Sequence, residues 1–269
     1  RLLVVADNCT DDTAQVASAA GAEVCIRSDA VRIGKGYALD FGLQQLSEDP
    51  PDTVVIVDAD CRLAHGTIDR LATGCAATGQ PCQALYLMTS PPGAGINHQV
   101  AEFAWRVKNW IRPLGLATLG LPCQLMGTGM AFPWQVIRSA SLSNGCITED
   151  LKLGLDLAAA GHAAVFVPTA LVTSQFPVSR AGTGTQRQRW EQGHLDMMSS
   201  VPRLIAAAVK RLDPKLLALA LDLAVPPLAL LMLLLMAATI ATGLIAMGGM
   251  SHFWFIVSLG SLASVAVAV

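Results

Sequence analysis

Twenty-five consecutive residues, Leu223–Met247, carry no charged side chain, and this run limits what the chain can fold into. About 20 apolar residues in a helix reach across a bilayer core, so a run this long predicts a membrane span. Pro226-Pro227, near its start, is tolerated in the first turn of a helix. Gly248–His252 reads as a short turn and Phe253–Val269 as the start of a second span. Arg203, Lys210, Arg211 and Lys215 precede the first span, whereas the turn has neither Lys nor Arg. Basic residues collect on the cytoplasmic side, which places the preceding part of the chain there. Pro202–Asp222 is amphipathic and reads either as a helix on the membrane surface or as a plain linker helix.

The remainder has a different character. Overall the chain is 53% hydrophobic and 14% charged, with mean hydropathy +0.49. A soluble domain carries roughly 25% charged residues. Nearly all of the apolar surplus follows Lys215, and the residues before it have the composition of an ordinary α/β protein. The 269 residues therefore divide into an α/β domain at 1–200, a connecting helix at 201–222 and a membrane region at 223–269. Net charge is −2, which offers no basic field for nucleic acid. The seven cysteines are scattered without a CxxC pair, a pattern of reduced, buried thiols rather than a disulfide framework or a zinc site; Cys123 and Cys146 lie nearest the polar segments singled out below. The chain opens directly on a strand without Met or leader and stops inside an apolar run, so it reads as part of a longer protein.

Strand and helix signals alternate from the start, as in a mostly parallel sheet covered by helices. Leu2–Ala6 is an apolar strand, followed by a helix that Thr10 can cap with Asp11 and Asp12 in its first turn. Glu23–Ile26 is the next strand, and Gly34-Lys35-Gly36 opens a helix to about Leu46. Val54–Val57 is a strand bounded by Asp-Pro-Pro-Asp and Asp-Ala-Asp. A helix is expected over Asn97–Leu114, another from a Thr148 cap to about Ala160, then a strand at Ala164–Val167. Ser174–Thr185 reads as a loop, with a helix from Gln186.

Polar islands punctuate this pattern. Ligands of open α/β sheets bind beyond the carboxyl ends of the strands, where Asp7, Asp58 and Asp60 fall. Asp58 and Asp60, two residues apart at a strand tip, can aim two carboxylates at one hard cation such as Mg²⁺ or Mn²⁺, although solvated turn residues look the same. Asp7 suits a hydrogen bond to a nucleotide base or ribose, or else an Asx-turn. Lys35, between two glycines, can reach a base or phosphate, but no GxxxxGK[ST] loop is present. In Thr148-Glu149-Asp150, a carboxylate at a helix N-terminus stays ionised and can serve as a base for a hydroxyl, with Asp150 the candidate; a Thr cap with acidic first-turn residues is the alternative. Gln186, Arg189 and Trp190 stand at i, i+3 and i+4 on one helical face. Gln and Arg can donate to diphosphate oxygens, and the indole can seat a sugar ring, although Trp is also common at membrane interfaces.

The ordered set Asp7, Asp58-Ala59-Asp60, Thr148-Glu149-Asp150 and Gln186–Trp190, ahead of an apolar tail, resembles the family-2 inverting glycosyltransferases of GT-A fold. The resemblance is to the branch of cellulose, hyaluronan and chitin synthases and spans Arg1 to about Gly193. Val4–Thr13 and Gly34–Asp40 look most like bacterial exopolysaccharide-biosynthesis members. It implies a Rossmann-like nucleotide-sugar domain followed by several transmembrane helices, in a multi-pass protein of the bacterial inner membrane. It also implies transfer from a nucleotide diphosphate sugar, UDP-linked by preference, to a glycan or lipid-linked acceptor, with Mg²⁺ or Mn²⁺ and with other synthesis or export subunits as partners. A polyprenyl-phosphate sugar transferase and an inactive nucleotide-sugar-binding subunit are the rival readings.

By position, Asp7 matches the first nucleotide-binding aspartate, with Ala6 where a second aspartate often stands. Asp58 and Asp60 match the DxD, Asp60 being the metal and diphosphate contact. Asp150 matches the general base of the TED motif. Gln186, Arg189 and Trp190 match QxxRW, and Lys35 is placed with the donor contacts. Glu149 and Trp190 fall on the acceptor side, where Gly127 and Thr128 line an acceptor entrance. The family's first strand and its nucleotide-contacting loop are expected upstream of Arg1.

Overall fold

Unbroken apolar runs such as Val54–Ile56 form strands covered on both faces. In the computed structural model they form the central layer of an α/β fold. The structure describes residues 1–142, 148–177, 180–249 and 251–268, with backbone alone at 180–183, 185–187 and 266–268. Elements run β1 (Leu3–Asp7), α1 (Thr13–Ala19), β2 (Glu23–Arg27), α2 (Lys35–Leu46), β3 (Thr53–Ile56), β4 (Arg62–Leu63), α3 (Thr67–Thr78) and β5 (Cys82–Thr89). Next come α4 (Ile96–Arg106), a π-turn (Val107–Ile111), α5 (Arg112–Thr118), β6 (Met130–Pro133), α6 (Trp134–Ile137), α7 (Glu149–Ala159) and β7 (Val165–Gln175). The chain ends with α8 (Arg180–Met198), α9 (Val201–Arg211), α10 (Pro214–Leu223), α11 (Leu228–Met247) and α12 (Phe253–Ala268).

The sheet is mixed rather than mostly parallel. β1 and β2 form a parallel pair, and a five-stranded sheet has the order β3-β6-β5-β7-β4. Within the latter only β5 and β7 are parallel; β6 runs antiparallel to both its neighbours, and β4 to β7. Apolar periodicity marks a strand but is blind to its direction, which accounts for the difference.

β7 is much longer than the expected Ala164–Val167. Its register against β5 jumps from Ala84↔Val167 to Leu85↔Leu171. Pro168, which has no amide hydrogen, stands in that bulge and made the strand seem to stop early. The expected Ser174–Thr185 loop is correspondingly shorter, since α8 already begins at Arg180. The expected helix at Asn97–Leu114 is continuous to Thr118 but carries the π-turn in its middle.

Helix α7 is packed on two sides, which holds its N-terminus in place. Leu153 and Leu157 join Ile56, Phe132, Ile137 and Phe166 under the sheet. Leu151, Leu155 and Ala158 join Leu204, Leu216, Leu219 and Leu223 of α9 and α10. Leu71 and Cys75 of α3 cover the opposite sheet face with Cys82, Ala84 and Val172. Pro202–Asp222 is thus two helices, not one. The chain turns at Leu212, whose φ is 53°, and the Asp213 carboxylate caps α10 by accepting from the amides of Lys215 and Leu216.

α11 starts at Leu228 rather than Leu223, because Leu223 closes α10 and Pro226-Pro227 lie ahead of the new helix. An 18-residue stretch of it has mean hydropathy 2.5 with none of that stretch buried in the protein, and Ala246 near its end is buried. Among the described residues it is the one helix long and apolar enough to cross a membrane. α12, with 16 residues, packs on it through a Thr242–Ser258 hydroxyl bond of 2.9 Å. Cys9, Cys25, Cys61, Cys75, Cys82 and Cys123 are free thiols, and Cys146 lies outside the described residues.

Candidate functional site

Asp58 and Asp60, Thr148-Glu149-Asp150, and Arg189-Trp190 meet in one cleft of about 530 Å³. That volume lies within the roughly 300–1,000 Å³ of small-molecule sites. Its walls include Lys35, Asp58, Asp60, Gly127, Glu149, Asp150, Arg189 and Trp190.

Each residue arrives for a local reason. Asp58 and Asp60 follow β3, whose Val54 and Ile56 are buried, so the turn after it emerges at the rim of the sheet. The Asp58 amide donates to the Thr128 hydroxyl at 3.0 Å, and Cys61 N donates to Asp58 O at 3.0 Å to close the turn. Lys35, at the first turn of α2, donates to the Asp58 carboxylate and to Gly127 O at 2.7 Å, with Glu149 Oε1 4.0 Å away. Gly36 beside it lies against the Leu142 carbonyl, where a side chain has no room.

Gly127 has φ +86°, and a Cβ there would stand 3.3 Å from Asp150 Oδ2. The bare backbone is what lets this loop, Lys35 and the head of α7 approach one another. Thr128, expected at an acceptor entrance, is itself buried and is not among the residues that line the cleft. Gln83 is the residue that sequence reasoning missed here. Fully buried, it donates through Nε2 to Thr128 O and Ala84 O and accepts from Met126 N, so one side chain pins the loop. A lone Gln in an apolar strand was the only signal of it.

Thr148 does not cap α7 with its side chain. Its hydroxyl donates to Gly193 O of α8 at 3.3 Å, and a Cβ on Gly193 would collide with its methyl group. This close fit joins the TED segment to the helix that carries Arg189 and Trp190. Trp190 stands 5.0 Å from Trp105, centroid to centroid, and Trp105 meets Tyr86 and Phe176 edge-on. The Trp105 indole N–H donates to Tyr86 O at 3.1 Å. Trp190 therefore belongs to an aromatic wall rather than standing alone. Gln186 lies outside the residues whose side chains are described.

Asp7 is not among the lining residues. Its carboxylate accepts from Arg27 Nη1 at 2.5 Å, and Arg27 is itself buried, also donating to Arg32 O and Asp29. Parallel pairing of β1 with β2 sets Asp7 opposite Arg27, a partnership that the strand residues alone did not reveal. The guanidinium also lies 5.8 Å from the ring centre of Tyr37, which does line the cleft.

Crowding of carboxylates shapes the electrostatics. Burial pushes the Asp150 carboxyl above its ordinary value, while amide hydrogen bonds at the head of α7 and the positive charges of Lys35 and Lys108 draw it down. Burial, together with the neighbouring Asp150 charge, raises Glu149. Lys108, Arg112, His194 and Asp222, none of them expected from sequence, complete the far end of the cleft. Arg112 forms an ion pair with Asp222, and burial lowers His194. One oxygen each from Asp58 and Asp60, with Cys61 Sγ, lie within 4.8 Å of one another, a donor set that can hold a divalent ion. The cleft thus gathers carboxylates, fixed cations and a flat apolar wall.

Among solved structures, the mannosyltransferase PcManGT from Pyrobaculum calidifontis, in complex with GDP-Man and Mn²⁺, matches 98% of this chain and 76% of its own, with TM-score 0.51 and 18% identity. That likeness shows a common, GT-A-like α/β fold. Glucosyl-3-phosphoglycerate synthase from Mycobacterium tuberculosis, solved with Mn²⁺, UDP-Glc and phosphoglyceric acid, matches 71% of this chain and 66% of its own, at TM-score 0.39 and 25% identity. The latter similarity is too distant to bear on the fold. No curated protein matches the chain. The sequence profile described as "Glycosyl transferase family group 2" matches residues 53–268, from the strand that precedes the paired aspartates to the last helix. The chain belongs to this glycosyltransferase family.

Proposed function

We propose that this chain transfers a sugar from a nucleotide diphosphate sugar to an acceptor hydroxyl, with inversion, at the cytoplasmic face of a membrane. The observation that carries the reading is the single cleft in which Lys35, Asp58 and Asp60 face Glu149, Asp150, Arg189 and Trp190. In a direct displacement the acceptor oxygen bonds to the sugar's anomeric carbon. The bond from that carbon to the phosphate oxygen breaks, and its electron pair leaves with the diphosphate. Asp150 Oδ takes the acceptor proton. Arg189 donates to the departing diphosphate, and Lys35 adds a second fixed cation beside it. Trp190, backed by Trp105, seats the acceptor ring, with Glu149 beside the base to take its hydroxyls.

Asp60 and Asp58 would hold Mg²⁺ or Mn²⁺, which supplies positive charge for the leaving group. The mannosyltransferase of the same fold was solved with a nucleotide sugar and Mn²⁺, in keeping with this donor and ion. The uncharged α11 supports a membrane setting. A UDP-linked donor, a glycan or lipid-linked acceptor, Asp7 and Gln186 as further donor contacts, and a place among the polysaccharide synthases of bacterial exopolysaccharide production complete the proposal.

The test is release of nucleoside diphosphate by the full chain in membranes, from a panel of nucleotide sugars. Release from one donor, abolished by chelation and restored by Mn²⁺ or Mg²⁺, is the expected outcome. Turnover that survives chelation would remove the metal from the scheme. Bound donor without release, whatever the acceptor, would remove transfer.

A pH dependence follows from Asp150. A base works as the carboxylate, and burial raises its pKa, so activity is lost as pH falls through a value above the ordinary 3.8. Lys35 draws that value down. Lys35→Met should therefore move the acid limb of the kcat/KM profile to higher pH as well as lowering the plateau. A limb that stays in place would show that Lys35 does not act on the base.

A further inference from the structure

The far end of the cleft holds cations that the transfer scheme does not use. Trp105, Lys108 and Arg112 follow one another at helical spacing, share one face of their helix, and all line the cleft. Lys108 sits in the π-turn, an insertion that recurs at functional sites. It is open to water, yet among the described residues its ammonium has no hydrogen bond and no ion pair. The charges that act on it are those of Asp150, Arg112 and Asp222.

Arg112 commits Nη2 to Asp222, pairing with the carboxylate and donating to Asp222 O at 3.0 Å. Among the described residues its Nε and Nη1 make no hydrogen bond. Burial lowers the pKa of His194, so this histidine stays uncharged near pH 7. Apart from the base itself, nothing at this end among the described residues offsets the Lys108 charge. A second group here also lacks a partner. Gln124 lines the cleft and donates through Nε2 to Leu219 O at 3.2 Å, but its buried Oε1 accepts nothing. Leu219 and Asp222 lie on the last turns of α10, so Gln124 and Arg112 hold neighbouring points of one helix. A buried acceptor atom is costly to leave unpaired, and a ligand hydroxyl satisfies it.

We propose that this end of the cleft is a subsite for an acceptor sugar with an acidic substituent, a carboxylate or a phosphate. Lys108 and the open edge of Arg112 take the anion, and Gln124 Oε1 accepts a ring hydroxyl. The inference rests on the transfer reading above and names the class of its acceptor. A ring seated on Trp190 and Trp105 with one hydroxyl at Asp150 has other substituents toward Lys108, one turn along from Trp105. A charge-assisted bond there needs an anion that a neutral sugar lacks.

The experiment uses the full chain in phosphatidylcholine vesicles, with the donor that releases nucleoside diphosphate. Phenyl β-glucuronide and phenyl β-glucoside phosphate are compared with phenyl β-glucoside as acceptors. The expected kcat/KM ratio, acidic over neutral, is about 10–100-fold, the span of one hydrogen bond to a charged group. Lys108→Met should bring that ratio close to unity, and Lys108→Arg should keep most of it. Equal losses with acidic and neutral acceptors in Lys108→Met would overturn the subsite and leave Lys108 as a support of Asp150. A second readout needs no turnover: acetylation of Lys108 by an N-hydroxysuccinimide ester, followed by peptide mass spectrometry. Either acidic sugar should slow it, and the neutral glucoside should not. Equal protection by all three, or by none, would overturn the proposal. Protection by phosphatidylglycerol without any sugar would assign the anion to leaflet lipid and overturn it too. Protection by an acidic sugar without transfer from any donor would keep the anion subsite and sink the transfer reading.

Discussion

Asp150→Asn is expected to lower transfer by roughly 10²–10⁴-fold, the usual contribution of a positioned general base, and to leave donor binding nearly intact. Asn keeps the shape of Asp and the amide contacts at the head of α7, but it cannot take a proton. The donor contacts proposed above, Lys35, Asp58, Asp60 and Arg189, are untouched by the change. Nucleoside diphosphate release and calorimetric donor binding, measured on the same membranes, separate the two effects. Retained turnover would move the base to another group, and Glu149, whose carboxyl is also raised, is the neighbour to try next. Loss of donor binding alongside turnover would instead mean that Asp150 holds the cleft together.

Gly129→Ala is expected to destabilise the α/β domain more than any surface substitution. Gly129 has φ +63°, and a Cβ there would stand 2.7 Å from Val172 Cγ2 and 2.9 Å from Ala84 Cβ. Both neighbours are fully buried, in β7 and β5, and neither can swing aside. Overpacking of a core costs about 1–3 kcal/mol, and a left-handed backbone costs a non-glycine residue roughly 1–2 kcal/mol more. A fold with only about 5–15 kcal/mol in hand feels such a sum directly. Gly161→Ala is the control, since Gly161 has φ +92° with nothing within 4 Å of the added Cβ. It carries the backbone cost without the collision. In thermal unfolding, Gly129→Ala should fall well below Gly161→Ala, and equal shifts would mean that the sheet absorbs the methyl group. Gly129 O also accepts from Ala84 N at 2.8 Å, one residue from the hydroxyl that receives the Asp58 amide. Displacement here should therefore reach Asp58 even in molecules that remain folded.

The residues whose chemistry is local were legible in the amino-acid order alone. Two carboxylates after a β-branched run, a carboxylate at a helix start, and Arg-Trp on one turn of a helix each announce themselves by spacing. So did the helix beginning at Lys35 and the uncharged run that became α11. Residues that serve by meeting a distant partner were not legible. Gln83 reads as an ordinary polar interruption of a strand until its amide is seen across from Thr128 and Met126. Asp7 reads as a free strand-end aspartate until the β1–β2 register brings Arg27 to it. Thr148 reads as a cap until Gly193 of α8 is found against it.

Periodicity, charge and the identity of side chains lie within a few residues of one another, so the order of residues was enough to mark several of the strands and helices, the polar islands and the apolar tail. Strand direction, the bulge at Pro168, the two-sided packing of α7 and the union of the islands depend on contacts between segments far apart in the chain. No local signal encodes these, because burial and pairing are properties of what arrives from elsewhere. The cleft is the plainest case: Lys35, Asp58, Asp60, Asp150, Arg189 and Trp190 were each visible one by one, and only the packing of α2, α7 and α8 around the end of β3 made them a single site.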